Sequence, residues 1–146
     1  MRPLRIATLL AAKGDAVATI DGDATVHTAV AQLRSRGIGA LVVSSDGEHI
    51  DGIVSERDIV RGLFDRHGSL LDEPVRSIMT AKVFTCGPDD DVDWLMAVMT
   101  ERRIRHVPVV RDGVLIGIVS IGDVVKQRIG DLEADRKELV EYITAR

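Results

Sequence analysis

An internal repeat constrains this chain more than any other feature of its sequence. Residues 17–61 recur at residues 83–126, and the two copies end in the related phrases GIVSERDIV and GIVSIGDVV. The copies align at an offset of 66 residues until one extra residue before Gly52 reduces the offset to 65. A duplicated supersecondary unit typically buries its apolar face by packing against its copy. The sequence therefore predicts two similar halves in contact.

The composition is that of a folded globular protein, with 45% hydrophobic and 29% charged residues in a chain of 146. No apolar run approaches the roughly 18 residues that a membrane helix needs, and the N-terminal segment lacks the features of a secretory signal. The single cysteine, Cys86, excludes an internal disulfide and favours a cytoplasmic location. A net charge of −4 and only four aromatic residues argue against a nucleic-acid binder.

Each copy contains an amphipathic helix near its start. Apolar residues at positions i, i+3, i+4 and i+7 form one stripe along such a helix. The stripes consist of Val26, Ala29, Val30 and Leu33 in the first copy and of Val92, Leu95, Met96 and Met99 in the second. Asp23 or Thr25 precedes the first stripe and the triplet 89–91 precedes the second, as is typical of helix N-caps. We interpret the acidic triplet as a helix start rather than as a metal site.

A pair of strands and a second helix follow in each copy. The pattern is a β-branched run, an Asp–Gly turn that is a strong hairpin signal, and a second strand. These segments are residues 40–43, 46–47 and 50–55 in the first copy and residues 107–110, 112–113 and 115–120 in the second. Gly52 and Gly117 lie inside the second strands, where glycine indicates a bulge or a close approach. We expect a short helix at residues 75–80 before the second copy, and a similar segment, residues 4–10, precedes the first. The fold class is therefore α+β.

The second copy ends in a long helical pattern. Val125, Ile129, Leu132, Leu139 and Ile143 are spaced like a heptad seam, with Arg136 at the missing step. We expect this helix either to cover the body of the protein or to meet a second subunit, and we favour the subunit contact.

The phrase shared by both copies, G-h-x-S-x-x-D (h, hydrophobic), places polar chemistry at a strand-to-helix turn. Ser55 and Ser120 stand at helix N-termini, where free N–H groups bind anions. Asp58 and Asp123 follow one turn later, and a carboxylate there can accept hydrogen bonds from the vicinal hydroxyls of a ribose. Phosphate beside ribose describes a nucleotide. The alternative is that these residues only cap their helices, and the phrase leaves both interpretations open.

The order of elements, together with GIVSERDIV, RHVPVV and GIVSIGDVV, resembles the CBS domain, which occurs in tandem pairs called Bateman modules. The resemblance covers residues 4–130 and implies a stand-alone bacterial CBS pair. It implies two pseudo-symmetric repeats of βαββα type, packed through their sheets, with an extended C-terminal helix. The implied boundaries are 4–63 and 74–130 for the repeats, 64–73 for a linker and 131–146 for the helical extension.

The resemblance also implies a ligand, because CBS pairs bind adenosine derivatives in one or both clefts between their repeats. Asp58 and Asp123 would hold the ribose hydroxyls, and Ser55 and Ser120 would approach the ribose or the phosphate. AMP is the favoured ligand, with ATP, NAD and S-adenosylmethionine as alternatives, and no metal is required. The implied adenine slot is lined by Val17, Thr19, Ile38, Gly39, Ala40, Val83, Thr85, Ile104, Val107 and Pro108.

The phosphate end of such a ligand needs positive charge. Arg57, Arg103, Arg105 and His106 lie near the cleft-forming segments and are our candidates, since crowded like charges are costly without an anion. The alternative is a solvated basic face paired with nearby acids. Arg105–His106 in the second copy replaces Gly39–Ala40 in the first, so we do not expect the two clefts to bind equally.

These observations favour a regulatory module that senses an adenosine ligand and signals by a change of conformation. The alternative is a dimerisation or interaction protein with degenerate pockets. We expect no enzyme, since the four histidines lack metal-ligand spacing and no catalytic set can be assembled. The expected partners are the small ligand, a second copy in a homodimer and an unknown effector protein, with neither nucleic acid nor membrane.

Overall fold

The protein consists of two similar α+β halves followed by a long helix. The computed structural model describes residues 3–14 and 17–145. The chain begins with α1 (Ile6–Lys13), and the first half then contains β1 (Thr19–Ile20), α2 (Val26–Arg36), β2 (Ala40–Val43), β3 (Gly52–Ser55) and α3 (Glu56–Arg66). Two 3₁₀ turns, His67–Asp72 and Val75–Ser77, connect it to α4 (Val92–Arg102), β4 (His106–Arg111), β5 (Val114–Ser120) and α5 (Ile121–Thr144).

The two sheets have the same topology. In the first sheet β1 is parallel to β2, and β2 is antiparallel to β3. In the second sheet β4 is antiparallel to β5, and a parallel bridge between Cys86 and Val109 stands where β1 stands in the first. The repeat and the α+β fold class predicted from the sequence are therefore confirmed.

Side-chain caps explain where the helices after β1 and its equivalent begin. The Thr25 hydroxyl accepts a hydrogen bond from the Thr28 N–H at the start of α2. The Asp91 carboxylate accepts bonds from the N–H groups of Asp93 (2.8 Å) and Trp94 (3.2 Å) at the start of α4. Such caps satisfy N–H groups that have no partner inside the helix. The acidic triplet thus contains a helix cap, as we interpreted it.

The two hairpins differ more than their sequences suggest. Asp112 and Gly113, with φ of 51° and 79°, form the predicted two-residue turn between β4 and β5. In the first hairpin the second strand begins at Gly52, so the prediction that it begins at Ile50 is wrong. The reason is that the Asp46 carboxylate accepts hydrogen bonds from the Glu48 and His49 N–H groups, each at 2.8 Å, and holds a wider loop.

The segment that precedes each half packs on the opposite half. The N–H of Ile6 donates to the Asp90 carbonyl at 3.0 Å, and the N–H of Val92 donates to the Leu4 carbonyl at 2.9 Å. Equivalent bonds join Val75 to Ala24 at 2.8 Å and Val26 to Glu73 at 2.9 Å. The halves are therefore linked by a reciprocal exchange of two segments, residues 4–13 and 70–82, which we call the exchanged segments.

This exchange decides the composition of the two cores. Buried Leu4, Ile6 and Leu9 complete the core of the second half, whereas Leu70 and Val75 complete the core of the first. In the sequence, residues 4–10 precede the first repeat and residues 64–73 resemble a surface linker. The repeat boundaries remain a prediction. At both segments the position along the chain does not indicate the packing, because residues 4–10 pack on the second half and Leu70 belongs to the core of the first. The helix expected at 75–80 is only the short 3₁₀ turn.

Both strand glycines mark close approaches, as predicted. A Cβ at Gly52 would lie 2.6 Å from Met79 Sδ and 2.8 Å from the Thr80 carbonyl oxygen. A Cβ at Gly117 would lie 2.6 Å from Leu10 Cδ2. Glycine at these positions lets the exchanged segments lie directly against β3 and β5.

The final helix α5 has 24 residues and leaves the body of the protein. Its side chains are exposed from Leu132 to Ala145, so the predicted long helix is confirmed but its apolar seam is uncovered here. In the described part of the chain, no helix combines the length and hydrophobicity needed to cross a membrane.

Candidate functional site

A cavity of about 700 Å³ lies between the two halves. It is lined where β3 turns into α3, and also by residues of 80–84 and 102–106. We call it the Asp58 cleft. Its lining residues are Gly39, Ile53, Ser55, Glu56, Arg57, Asp58, Arg61, Thr80, Lys82, Val83, Phe84, Arg102, Arg103, Ile104, Arg105 and His106.

The Ser55 and Asp58 pair forms a capping box at the start of α3. The N–H and hydroxyl of Ser55 both donate to Asp58 Oδ2, at 2.8 Å and 3.0 Å. The N–H of Asp58 in turn donates to the Ser55 hydroxyl oxygen at 3.4 Å. Both bonds to the carboxylate fall on one oxygen, and among the described residues Oδ1 has no hydrogen-bond donor. Capping and ligand binding are therefore compatible, because each can use a different oxygen.

Positive charge dominates the Asp58 cleft although the whole chain has a net charge of −4. Six basic side chains line it against the two carboxylates of Glu56 and Asp58. The basic residues are Arg57, Arg61, Lys82, Arg102, Arg103 and Arg105. Like charges gathered in a cleft attract an anion and raise its local concentration. All four of the predicted phosphate-end residues, Arg57, Arg103, Arg105 and His106, line this cavity.

Two of these arginines are held by the protein itself. The Arg57 guanidinium donates to the Arg103 carbonyl at 3.0 Å, across the cleft from α3 to the end of α4. Arg103 can present that carbonyl because it ends α4 in the left-handed conformation. The Arg102 guanidinium lies 4.6 Å from the centre of the Phe84 ring, a cation–π contact. The side chains of Arg61, Lys82 and Arg105 form no hydrogen bond or ion pair with described residues.

His106 occupies the inner end of the Asp58 cleft against Gly39. A Cβ at Gly39 would lie 3.1 Å from His106 Cε1 and 3.3 Å from Glu56 Oε1, so glycine leaves room for both side chains. Burial, followed by the charge of Lys13, lowers the pKa of His106 below its ordinary value of 6.5. The imidazole is therefore neutral at pH 7 and can accept as well as donate a hydrogen bond.

The equivalent position in the second half, which we call the Asp123 site, is occupied by a lysine. Ser120 and Asp123 form the same capping box at the start of α5, with the Ser120 N–H 2.9 Å from Asp123 Oδ2. The Lys13 ammonium donates to Asp123 Oδ2 at 2.8 Å and to the Ile118 carbonyl at 2.9 Å. Burial raises the pKa of Asp123, but the Lys13 and Ser120 hydrogen bonds outweigh it and the net shift is downward.

The remaining predicted site residues lie outside the Asp58 cleft. Ala40, Val107 and Pro108 are buried in strands, and Ile38 packs against the first core. Thr19 is half-buried in β1 and Val17 is half-buried just before it. Thr85 is exposed, and Ser120 and Asp123 belong to the other site. Of the implied adenine slot, Gly39, Val83 and Ile104 line the cavity.

Several lining residues were not predicted. Ile53, Glu56, Arg61, Thr80, Lys82, Phe84 and Arg102 line the cleft in addition to the candidates. Arg61 follows Arg57 and Asp58 at helical spacings of four and three, so the face of α3 could have predicted it. Lys82 and Thr80 belong to the exchanged segment, and the local sequence does not predict where that segment packs.

Two further kinds of site were compared with the described residues, a cysteine nucleophile and a metal centre. Burial raises the pKa of the Cys86 thiol to about 12, and a thiol that stays protonated is a poor nucleophile. Across residues 3–14 and 17–145, no three His, Cys, Asp or Glu side chains are placed to hold a metal ion together.

Similar proteins share the repeat and the fold. The sequence model of the CBS domain matches residues 14–65 and 75–130. A mitochondrial CBS domain-containing protein of Arabidopsis thaliana is 39% identical over 125 residues, which make up 83% of this chain and 61% of that protein. The chain thus spans less than two thirds of the length of this curated relative.

Two solved structures are similar as well. The crystal structure of a CBS-domain containing protein from Agrobacterium tumefaciens has a TM-score of 0.82 and 40% identity, covering 86% of this chain and 99% of that one. A CBS domain protein from Pyrobaculum aerophilum, complexed with AMP, has a TM-score of 0.73 and 30% identity, covering 82% and 89%. Because the CBS domain model matches both copies of the repeat and most of the chain, this protein belongs to the CBS domain family and contains two CBS domains in tandem.

Proposed function

We propose that this protein is a regulatory module that binds an adenosine nucleotide in the Asp58 cleft and signals by a change of conformation. The observation that carries the proposal is a free carboxylate oxygen on Asp58 beside six basic side chains in one cavity. The cavity volume of about 700 Å³ lies within the roughly 300–1,000 Å³ of small-molecule sites. The AMP complex of the Pyrobaculum relative supports the same ligand class.

Each part of a nucleotide finds a matching group in the cleft. Asp58 Oδ1 accepts the ribose hydroxyls, while Arg61, Lys82 and Arg105 provide unpaired charge for the phosphate. The adenine lies among the apolar side chains of Ile53, Val83 and Ile104. AMP is our first candidate, followed by ATP, NAD and S-adenosylmethionine, and binding needs no metal. Because both halves line the cleft, a bound ligand favours the arrangement of halves that best contacts it.

Calorimetric titration of these four compounds tests the proposal. The unmodified protein is expected to bind at least one with micromolar affinity, about −8 kcal/mol. Asp58→Asn should weaken that binding at least tenfold, because the amide cannot replace both acceptor functions while it still caps the helix. Asp123→Asn is the matched control, since it changes the same capping position in the other half and should preserve the affinity. A folded protein that binds none of the four at millimolar concentration would contradict the proposal.

A second observation favours an interaction function, alone or together with ligand sensing. Apolar side chains are exposed along α5, among them Leu132 with 55% of its surface accessible, and Phe64 on α3 is 84% exposed. Exposed apolar surface of this extent marks contact sites between proteins. We propose that α5 joins two copies in a homodimer and that an effector protein receives the signal. Absence of an enzymatic activity and a cytoplasmic location stay predictions.

Light scattering tests the homodimer. The expected mass is twice the chain mass of 15.9 kDa, and Leu132→Glu together with Leu139→Glu should reduce it to one chain. Substitution of exposed Glu133 and Glu138 by glutamine on the same helix is the control and should leave the mass unchanged. A monomer in the unmodified protein would contradict the homodimer and leave the nucleotide proposal standing.

A further inference from the structure

Lys13 and Lys82 occupy equivalent positions in the two exchanged segments. The backbone bonds of Ile6 and Val75 to the opposite halves match each other at an offset of 69 residues. The close contacts of Leu10 with Gly117 and of Met79 with Gly52 continue that offset along the segments. Three residues further on, the same offset pairs Lys13 with Lys82. Lys13 and Lys82 are therefore equivalent residues, one in each exchanged segment.

The two lysines have different partners. Lys13 lies at the end of α1, and its ammonium is 2.8 Å from Asp123 Oδ2 and 2.9 Å from the Ile118 carbonyl oxygen. Lys82 lines the Asp58 cleft, and among the described residues its ammonium pairs with neither Asp58 nor any other acceptor. Asp123 is therefore paired with a lysine and Asp58 is not, although both aspartates belong to the same kind of capping box.

The backbone explains why only one lysine reaches its aspartate. The Ile53 carbonyl, which is equivalent to that of Ile118, already accepts a hydrogen bond from the Thr80 N–H at 2.9 Å. The Thr80 carbonyl in turn accepts from the Ile53 N–H at 3.0 Å. This short antiparallel bridge ends the exchanged segment in extended conformation, whereas α1 stays helical up to Lys13. Lys82 thus lacks the second acceptor that holds Lys13 in place.

We propose that Lys13 is a built-in occupant of the Asp123 site and restricts nucleotide binding to the Asp58 cleft. This inference rests on the nucleotide-binding function proposed above. The Lys13 ammonium bonds Oδ2 of the carboxylate that a ribose would need and neutralises its charge, and charge-assisted bonds of this kind are stronger than those between neutral groups. Oδ1 is without a donor among the described residues on both aspartates, but at Asp123 a nucleotide meets a carboxylate already paired with an ammonium, whereas at Asp58 it meets a carboxylate with no cation bonded to it. Lys13 is a specificity-determining residue, because it limits the binding stoichiometry to one nucleotide per chain.

The test is the stoichiometry of AMP and ATP binding, measured by calorimetry. The unmodified protein should bind one equivalent, and Lys13→Met, which keeps the length of the side chain and removes its charge, should bind two. The double variant Lys13→Met, Asp58→Asn should retain one tight site, and adding Asp123→Asn should remove it. Lys82→Met is the matched variant, which should weaken ATP binding while its stoichiometry stays at one.

The outcomes separate this inference from the proposed function. Two equivalents bound by the unmodified protein, or one equivalent still bound by Lys13→Met, would overturn the role of Lys13 and leave nucleotide binding intact. Binding by Lys13→Met but not by the unmodified protein would support the role of Lys13 and move the site to Asp123. If neither protein binds AMP or ATP, the proposed function and this inference are both overturned. Circular dichroism verifies folding, and Lys13→Gln replaces Lys13→Met if that variant unfolds.

Discussion

Each half of this protein combines a serine, an aspartate and a lysine at a strand-to-helix turn, but the two halves arrange them differently. In the second half Lys13 is bonded to Asp123, and in the first half Lys82 stands apart from Asp58 in an open basic cleft. The capping boxes are alike, so the difference arises outside the repeated phrase. It comes from the exchanged segments, one of which remains a helix while the other ends in a strand-like bridge.

This comparison shows how a duplicated unit can lose its symmetry without losing its fold. The cores keep their apolar pattern because equivalent residues, such as Val26 and Val92 or Leu33 and Met99, are buried in both halves. The polar positions at the turn have no such constraint, since a lysine, a ligand or water can each satisfy a carboxylate. Function can therefore diverge between the two sites while packing is preserved.

The largest expected effect concerns the exchanged segments themselves. Ile6→Ala should lower the free energy of unfolding by about 2–5 kcal/mol, because it leaves a cavity in the core of the second half. Ile6 is fully buried although it lies near the start of the chain. Urea denaturation at a fixed protein concentration measures the change, with Val30→Ala on the exposed side of α2 as the control. A loss below about 0.5 kcal/mol, within the range of surface substitutions, would mean that α1 does not complete this core.

A smaller effect should distinguish the two strand glycines. Gly52→Ala should destabilise the protein by about 1–3 kcal/mol through overpacking, because its Cβ would meet the backbone carbonyl of Thr80 at 2.8 Å. Gly117→Ala should cost less, since the three atoms nearest to its Cβ all belong to the Leu10 side chain, which can rotate away. Thermal denaturation of the two variants side by side provides the measurement. Equal losses would show that the two exchanged segments are equally rigid, contrary to the backbone bridge at Thr80.

The smallest effect is a pH dependence of stability that arises from His106 in the second half. The pKa of His106 is lowered from 6.5 by burial and by Lys13, with Glu56 and Asp123 opposing the shift and Arg105 adding to it. As the pH falls through about 6.5, the unfolded chain binds the proton before the folded protein does, so stability falls. The equivalent residue in the first half is Ala40, which cannot titrate.

Urea midpoints at pH 7.5 and pH 5.5 measure this pH dependence. His106→Gln should lose less stability than the unmodified protein between the two values, and His27→Gln on the exposed side of α2 should behave like the unmodified protein. Parallel losses in all three proteins would indicate that His106 accepts a proton as easily in the folded state as in the unfolded one.

Most of the fold could be predicted because its signals are local. The stripe from Val26 to Leu33 predicts a helix through its spacing alone, and Asp112–Gly113 predicts a two-residue turn through its φ preferences. The strand start at Gly52 was missed because the Asp46 carboxylate competes for backbone N–H groups in the preceding loop. Of the candidate site, Asp58, Ser55 and the basic residues of 103–106 followed from the repeated phrase and from the family resemblance.

The sequence by itself determined the repeat, the order of helices and strands, and the residues that form the two capping boxes. The repeat is visible in the sequence directly, and the helices, strands and capping boxes depend on neighbours within a few residues along the chain. Only the tertiary structure decided that Lys13 reaches Asp123, that Lys82 and Thr80 line the Asp58 cleft, and that six basic side chains surround it. These contacts join residues that are distant in the chain, and they depend on how the exchanged segments end, which backbone hydrogen bonding across the halves controls.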